Sequence, residues 1–342
     1  MADDTILITG ATGFIAQHNI IAALAAGFRV RTAIRSLDRS DQVRAYLAKG
    51  GAEPGDRLSF VETDLLKDEG WAEAAQGCIY AIHSASSTPS GDYASEEEWV
   101  RPAVDGNLRL LRAARAAGVK RVVLTSAFGA IGAGQASPGR PFTEEDWSDL
   151  NGDIAPYQKS KTLAERAAWD FIAEQGGGME LATINPTAVM GPALGPDTSH
   201  SLMMLKGMLE GQPGQPRIKS CFVDVRDVAD LHIRAMTNPA AAGERFLATS
   251  GEALWLADVA KILKERLGEQ ARKVSTMQVP NIALKAKALV DPKVKGLLPL
   301  LGVDLSASGD KAKRMLGWNP RPPADAIEAA ARSMIQVGLI DV

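Results

Sequence analysis

Apolar positions follow two alternating textures along most of the chain. Short, nearly continuous apolar runs at residues 6–9, 29–34, 58–62, 79–83, 121–125 and 180–185 predict strands covered on both faces. Between them, residues 15–26, 41–48, 69–76, 96–117 and 155–174 space their apolar side chains as helices do, and Gly27 supplies the first helix stop. Strand and helix in alternation require right-handed parallel crossovers, so residues 1–190 predict a doubly wound parallel α/β sheet. From residue 191 the texture changes, with Pro192, Pro196, Pro213 and Pro216 punctuating shorter segments. The expectation is a smaller substrate lobe over residues 191–342, partly interleaved with the first domain. Its elements at 220–225, 226–236 and 256–267 are the candidates for that interleaving, residues 220–236 returning to the first domain. Residues 281–303 mix lysines with apolar positions and predict a solvated helix of the smaller lobe rather than a membrane-surface one.

Composition narrows the class. A chain of 342 residues with 46% hydrophobic and 23% charged positions can bury a sizeable core, which excludes a disordered or collagen-like chain. No apolar run approaches the roughly 18 residues that span a bilayer, and Asp3 and Asp4 stand where a secretory signal carries positive charge, so a cytoplasmic protein is expected. Lys and Arg number 38 against 41 Asp and Glu, a net charge of -3 without a basic block, so neither nucleic acid nor a membrane is expected as a partner. Cys78 and Cys221 have no second cysteine or clustered histidine nearby, which predicts small core residues and no metal site.

Directly after the first strand come Gly10, Ala11, Thr12, Gly13, Phe14, Ile15 and Ala16, opening the first helix. Gly10 permits a tight turn, and Gly13 lets the backbone approach a pyrophosphate seated on the exposed amides of the helix start. Ala16 stands where the usual dinucleotide fingerprint has a third Gly or small residue and preserves close helix–strand packing. A glycine turn alone could be an ordinary strand-to-helix connection; its place between strand and helix at the start of a strand–helix series makes it a Rossmann dinucleotide site. An NAD site places a carboxylate about 20 residues on, to bind the ribose hydroxyls. Here the second strand ends in Ile34, Arg35 and Ser36. Arg35, with Ser36 and either Arg39 or Arg44, suits a 2'-phosphate, so NADP(H) is the expected cofactor.

Tyr157 and Lys161, four residues apart on the predicted helix 155–174, share one face. The ammonium is expected to lower the phenol pKa and help it exchange a proton with a substrate oxygen, which is general acid–base chemistry. The pair alone would be unremarkable. Downstream of a nucleotide turn in the same sheet, it predicts hydride transfer between NADPH and a carbonyl, with Tyr157 as proton donor.

These features together resemble the extended short-chain dehydrogenase/reductase superfamily, the NAD-dependent epimerase/dehydratase superfamily, over nearly the whole length. The likeness is carried by the Gly10/Gly13 turn, Asp64-Leu65 after the third strand, His83-Ser84-Ala85-Ser86 after the fourth, and Tyr157/Lys161. More narrowly, YQKSKTLAERAAW at 157–169, NPTAVMGP at 185–192, FVDVRDVADLH at 222–232 and Gly317-Trp318 are similar to the dihydroflavonol 4-reductase group, which includes cinnamoyl-CoA reductases and microbial NADPH-dependent aldehyde and ketone reductases. The resemblance implies reduction of an aldehyde or ketone to an alcohol. It also implies Asp64 and Leu65 beside the adenine, Ala85 and Ser86 along the middle of the cofactor, Pro186 to Val189 at the nicotinamide, and Lys161 on the nicotinamide ribose.

One departure stands out. The group carries a catalytic Ser at the end of the fifth strand, where this chain reads Thr125-Ser126-Ala127 with Ala127 in register. Ser126 is taken as the replacement, Thr125 being the other choice, although strand neighbours point to opposite faces. His18, His83, His200 and His232 form no hydrolytic triad pattern. Glu96, Glu97, Glu98, Glu144 and Glu145 read as solvated faces or helix starts, and Trp99, Phe128 and Trp147 as flanks of the substrate mouth or core. Two other functions remain: a nucleotide-sugar epimerase or dehydratase, against which Arg35 argues, and a non-catalytic NADP-binding protein, against which the intact Tyr157/Lys161 pair argues. Met203, Met204 and Met208 suggest a mostly apolar small-molecule carbonyl substrate or simply core, and a monomer or homodimer is expected.

Overall fold

The computed structural model describes residues 4–86, 95–196 and 199–341; Asp3 and the side chain of His200 lie outside the described residues. In chain order the first half runs β1 (Thr5–Thr9), α1 (Phe14–Ala25), β2 (Arg29–Ile34), α2 (Ser40–Lys49), β3 (Leu58–Glu62), α3 (Trp71–Ala75), β4 (Tyr80–His83), α4 (Glu96–Ala116), β5 (Arg121–Thr125), α5 (Pro156–Gln175), β6 (Glu180–Pro186) and β7 (Ala188–Met190). Local chemistry sets these limits. Ser95 and Glu98 form a reciprocal capping box at the start of α4. Pro156 opens α5, where its missing N–H costs nothing. The predicted helix 69–76 shortens to α3 because Gly70 sits at φ 80, in the left-handed region, and its own Cβ would lie 2.0 Å from the Glu62 carbonyl oxygen.

The second half runs α6 (His200–Leu209), β8 (Lys219–Asp224), α7 (Val225–Thr237), β9 (Arg245–Ala248), β10 (Ala253–Trp255), α8 (Leu256–Leu267), α9 (Asn281–Lys287), α10 (Pro292–Lys295), β11 (Asp304–Leu305), α11 (Asp310–Leu316) and α12 (Pro323–Gln336). The single helix expected over 281–303 is instead α9, α10 and a 3-10 turn at Leu298–Leu300, since Pro292 and Pro299 interrupt it.

The main sheet has the order β3-β2-β1-β4-β5-β6-β9, every pair parallel. Six of these strands follow the doubly wound dinucleotide-binding order. The sequence reading ended the sheet at β6; the structure adds β9, drawn from beyond residue 191 and paired through Arg245 opposite Thr183. A smaller sheet joins β8 to β10 antiparallel and to β7 and β11 in parallel. Side-chain alternation divides the core: Ile6, Ile8 and Val123 face the α1 and α7 layer, while Leu7, Val122 and Leu124 face Trp71, Leu110 and Phe171 of the α3, α4 and α5 layer. Cys78 and Cys221 are free and buried. Among the described residues no helix is long and apolar enough to cross a membrane, and no cluster of His, Cys, Asp or Glu is gathered to hold a metal.

Candidate active site

At the carboxyl ends of β1 and β4 the chain is tightest around Gly10. Its φ is +81 and an added Cβ would lie 2.8 Å from the Cα of Ala85, so no other residue fits. Gly13 caps α1 with no side-chain hydrogen bond, leaving the first amides of a 12-residue helix open to an anion. Gln17 Nε2 holds the Thr12 carbonyl at 2.9 Å, which fixes the turn. Phe14 is buried edge-on against His18, so it offers the site its backbone; Ile15 is half-buried. The His18 ring donates to the Pro192 carbonyl at 2.9 Å and belongs to the packing.

Arg35 is exposed just past β2 and, among the described residues, makes no hydrogen bond or ion pair. Ser36 caps a 3-10 turn at Leu37–Arg39, and Arg39 donates to Gln42. Arg44 stacks on Phe60 and donates to the Gly55 and Leu58 carbonyls, so it is committed elsewhere. The fit to a 2'-phosphorylated dinucleotide therefore rests on the Gly10 close approach, the uncapped helix start and the unengaged Arg35.

Asp64 accepts the Leu66 amide at 2.9 Å, and Leu65 packs into the space that Gly106 leaves on α4. The Ala85 amide donates to Thr9 Oγ1, and Ser86 is exposed. Leu65, Ala85, Ser86, Ser126, Lys161 and Glu165 meet around a cavity of about 10 Å3, room for about one water. Pro186 ends β6, and Val189 is buried on β7, so its side chain belongs to the core.

Tyr157 is half-buried on α5, its ring edge-on to Trp99 at 5.9 Å. Removal from water pushes the phenol up to about 12, and the expected lowering by Lys161 does not prevail. Lys161, one turn on, is pushed down to about 8 by burial, against the opposing pull of Glu165. His83, behind them, stays neutral, held near 3 by burial and the Lys161 charge.

Both hydroxyls at the end of β5 are occupied. His232 Nδ1 must donate to the Val228 carbonyl, so Nε2 accepts from Thr125 Oγ1 at 2.8 Å, Thr125 accepts from Ser84, and Ser84 accepts from Asn19. Ser126 points to the opposite layer and donates to Glu165 Oε2 at 2.5 Å. Neither proton is free for a substrate oxygen in this arrangement. Glu144, read as solvated, is in fact buried and accepts the Leu247 amide at 2.8 Å; burial raises its pKa. Met208 is core, whereas Met203 is half exposed. Glu165 and Arg245 were missed as site neighbours, although Glu165 falls inside the 157–169 motif.

The fold and this site define an extended Rossmann protein of the short-chain dehydrogenase/reductase class. Residues 6–248 match the model of the NAD dependent epimerase/dehydratase family, and the chain belongs to that family. It is 33% identical to cinnamoyl-CoA reductase 1 of Arabidopsis thaliana over 303 residues, covering 86% of this chain and 84% of that one. It is 31% identical to dihydroflavonol 4-reductase of Zea mays, covering 78% and 75%. Gre2 of Candida albicans in complex with NADPH is similar in structure, with a TM-score of 0.79, 25% identity and coverage of 98% and 99%.

Proposed function

We propose that this protein is an NADPH-dependent carbonyl reductase that converts an aldehyde or ketone to an alcohol. The observation that carries the reading is the Tyr157/Lys161 pair on α5, with Lys161 lining one cavity together with Ala85, which closes on the Gly10 turn. The names of the relatives, a cinnamoyl-CoA reductase and a dihydroflavonol 4-reductase, support a reductase. Gly10, Thr12, Gly13, Phe14 and Ile15 would hold the pyrophosphate through their main chain, and Arg35 the 2'-phosphate. Asp64 and Leu65 would flank the adenine, Ala85 and Ser86 the middle of the cofactor, and Pro186 and Val189 the nicotinamide.

NADPH, when bound, supplies the hydride for the carbonyl carbon. Tyr157 gives its proton to the carbonyl oxygen, and a phenol held near 12 is fully protonated at neutral pH, the form a reduction needs. Lys161, near 8, is still mostly charged there and stabilises the phenolate left behind. Ser126, which the sequence offers as a catalytic donor, is better read as a holder of Glu165, and Tyr157 polarises the carbonyl without a serine beside it. The test is loss of NADPH absorbance against a panel of aldehydes, ketones and ketoesters, with NADH in parallel. Tyr157→Phe should lower turnover by about 100-fold or more with NADPH binding retained. Cofactor binding with no turnover on any carbonyl would refute the reading.

A further inference from the structure

Glu165 lies one helical turn beyond Lys161 and is wholly buried. Its carboxylate gathers donors from three strands of the sheet. Ser126 Oγ arrives from the end of β5 at 2.5 Å, Thr183 Oγ1 and Asn185 Nδ2 from β6 at 3.0 and 2.7 Å, and Arg245 Nε from β9 at 2.7 Å. Such a set of donors satisfies the acceptor positions of a carboxylate shut off from water, and the guanidinium of Arg245 supplies it with a counter-ion. Arg245 is itself fixed: Nη1 donates to the Glu144 and Asp146 carbonyls at 2.6 and 2.9 Å, and the guanidinium lies 3.7 Å over the Trp147 ring.

The elements so joined are those that carry the reaction. Ser126 precedes Ala127, where a donor to the carbonyl would be expected, and Asn185 precedes Pro186 at the end of β6. Glu165 also lines the same small cavity as Lys161. We propose that Glu165 is a positioning residue of the reduction proposed above, on which this inference rests. Its carboxylate ties the ends of β5 and β6 to the helix bearing Tyr157 and Lys161, and supplies the negative charge that faces the Lys161 ammonium across the cavity.

The other groups around Lys161 do not replace it. His83 on β4 is neutral, and Tyr157 on α5 is protonated. Asn107 on α4 carries no charge, and the Glu96 carboxylate of α4 is paired with Lys159 on the exposed side. Arg245 on β9 reaches the cavity wall only through Glu165. If the side chain at this position served packing alone, a neutral isostere that holds the strands would leave the titration of Lys161 unmoved.

Competitive acetylation of the cofactor-free protein by acetic anhydride across pH, read at Lys161 by mass spectrometry, tests this. In Glu165→Gln, Lys161 should become about fivefold more reactive at pH 7, since a pKa that falls from about 8 by about one unit raises the neutral, acetylatable fraction from about a tenth to about a half. Glu165→Asp should restore the wild-type curve, since it keeps the charge. If Glu165→Gln does not fold, Glu165→Gln with Arg245→Gln removes both buried charges together, and the shift should keep its direction at smaller size. A Lys161 curve that overlays the wild type in the folded variant overturns the proposal, as does an aspartate variant that shifts as far as the glutamine one. The labelling needs no turnover, so an absence of reductase activity in the wild type would refute the function without touching this result. If the wild type is active, the alkaline limb of its pH profile should move to lower pH in Glu165→Gln.

Discussion

Two polar networks meet at the end of β5, one in each layer of the fold, and they differ in kind. On the α1 and α7 side, Asn19, Ser84, Thr125 and His232 pass hydrogen bonds in one direction to the Val228 carbonyl, and no member is charged. Burial holds His232 down to about 4, so this side stays neutral through the working range of pH. On the α5 side, Ser126 ends on the buried ion pair of Glu165 and Arg245, next to Lys161. A neutral chain fixes geometry without a field. An ionic one fixes geometry and also sets the potential at the reacting pair, and only the second lies on the helix that carries it.

Removing one member from each side should expose the difference. Arg245→Met leaves Glu165 buried without its counter-ion and should cost about 3–5 kcal/mol, read by urea unfolding. Thr125→Val keeps the shape but strands the Ser84 hydroxyl and the His232 Nε2, and should cost about 1–3 kcal/mol in the same measurement, with turnover nearly preserved. Equal losses of stability and equal losses of turnover would erase the distinction. The smallest effect concerns pH. Reduction needs Tyr157 and Lys161 protonated, and Lys161 has the lower pKa, so turnover should be level at neutral pH and fall as the pH rises through about 8. A reductase rate that climbs from pH 7 to 9 would contradict this.

The legibility of these features in the sequence follows the range of the interactions behind them. Gly10 and Gly13 lie three residues apart in a turn whose geometry is local, and Tyr157 and Lys161 lie one helical turn apart, so spacing alone brought each pair together. The Glu165 network joins residues 39, 20 and 80 positions away, and no period connects them. Glu144 was misread for the same reason, since its partner amide on Leu247 lies 103 residues on. The direction of the Tyr157 shift was missed because spacing shows a neighbouring charge but not how much water burial removes. Strand β9 was hidden by its length: four residues amid proline- and alanine-rich loops give too little alternation to read.

That short strand has a consequence for how the molecule is made. Residues 245–248 close the edge of the dinucleotide sheet beside β6, and α7 packs against α1, so the nucleotide half cannot finish assembling until the ribosome has released nearly three quarters of the chain. A fragment cut near residue 190 would expose the unpaired edge of β6 and lack the counter-ion of Glu165, which makes it a candidate for aggregation rather than a minimal cofactor-binding module. Exchanging substrate specificities between relatives by swapping whole C-terminal halves would meet the same obstacle, whereas grafting individual loops would leave the shared sheet intact.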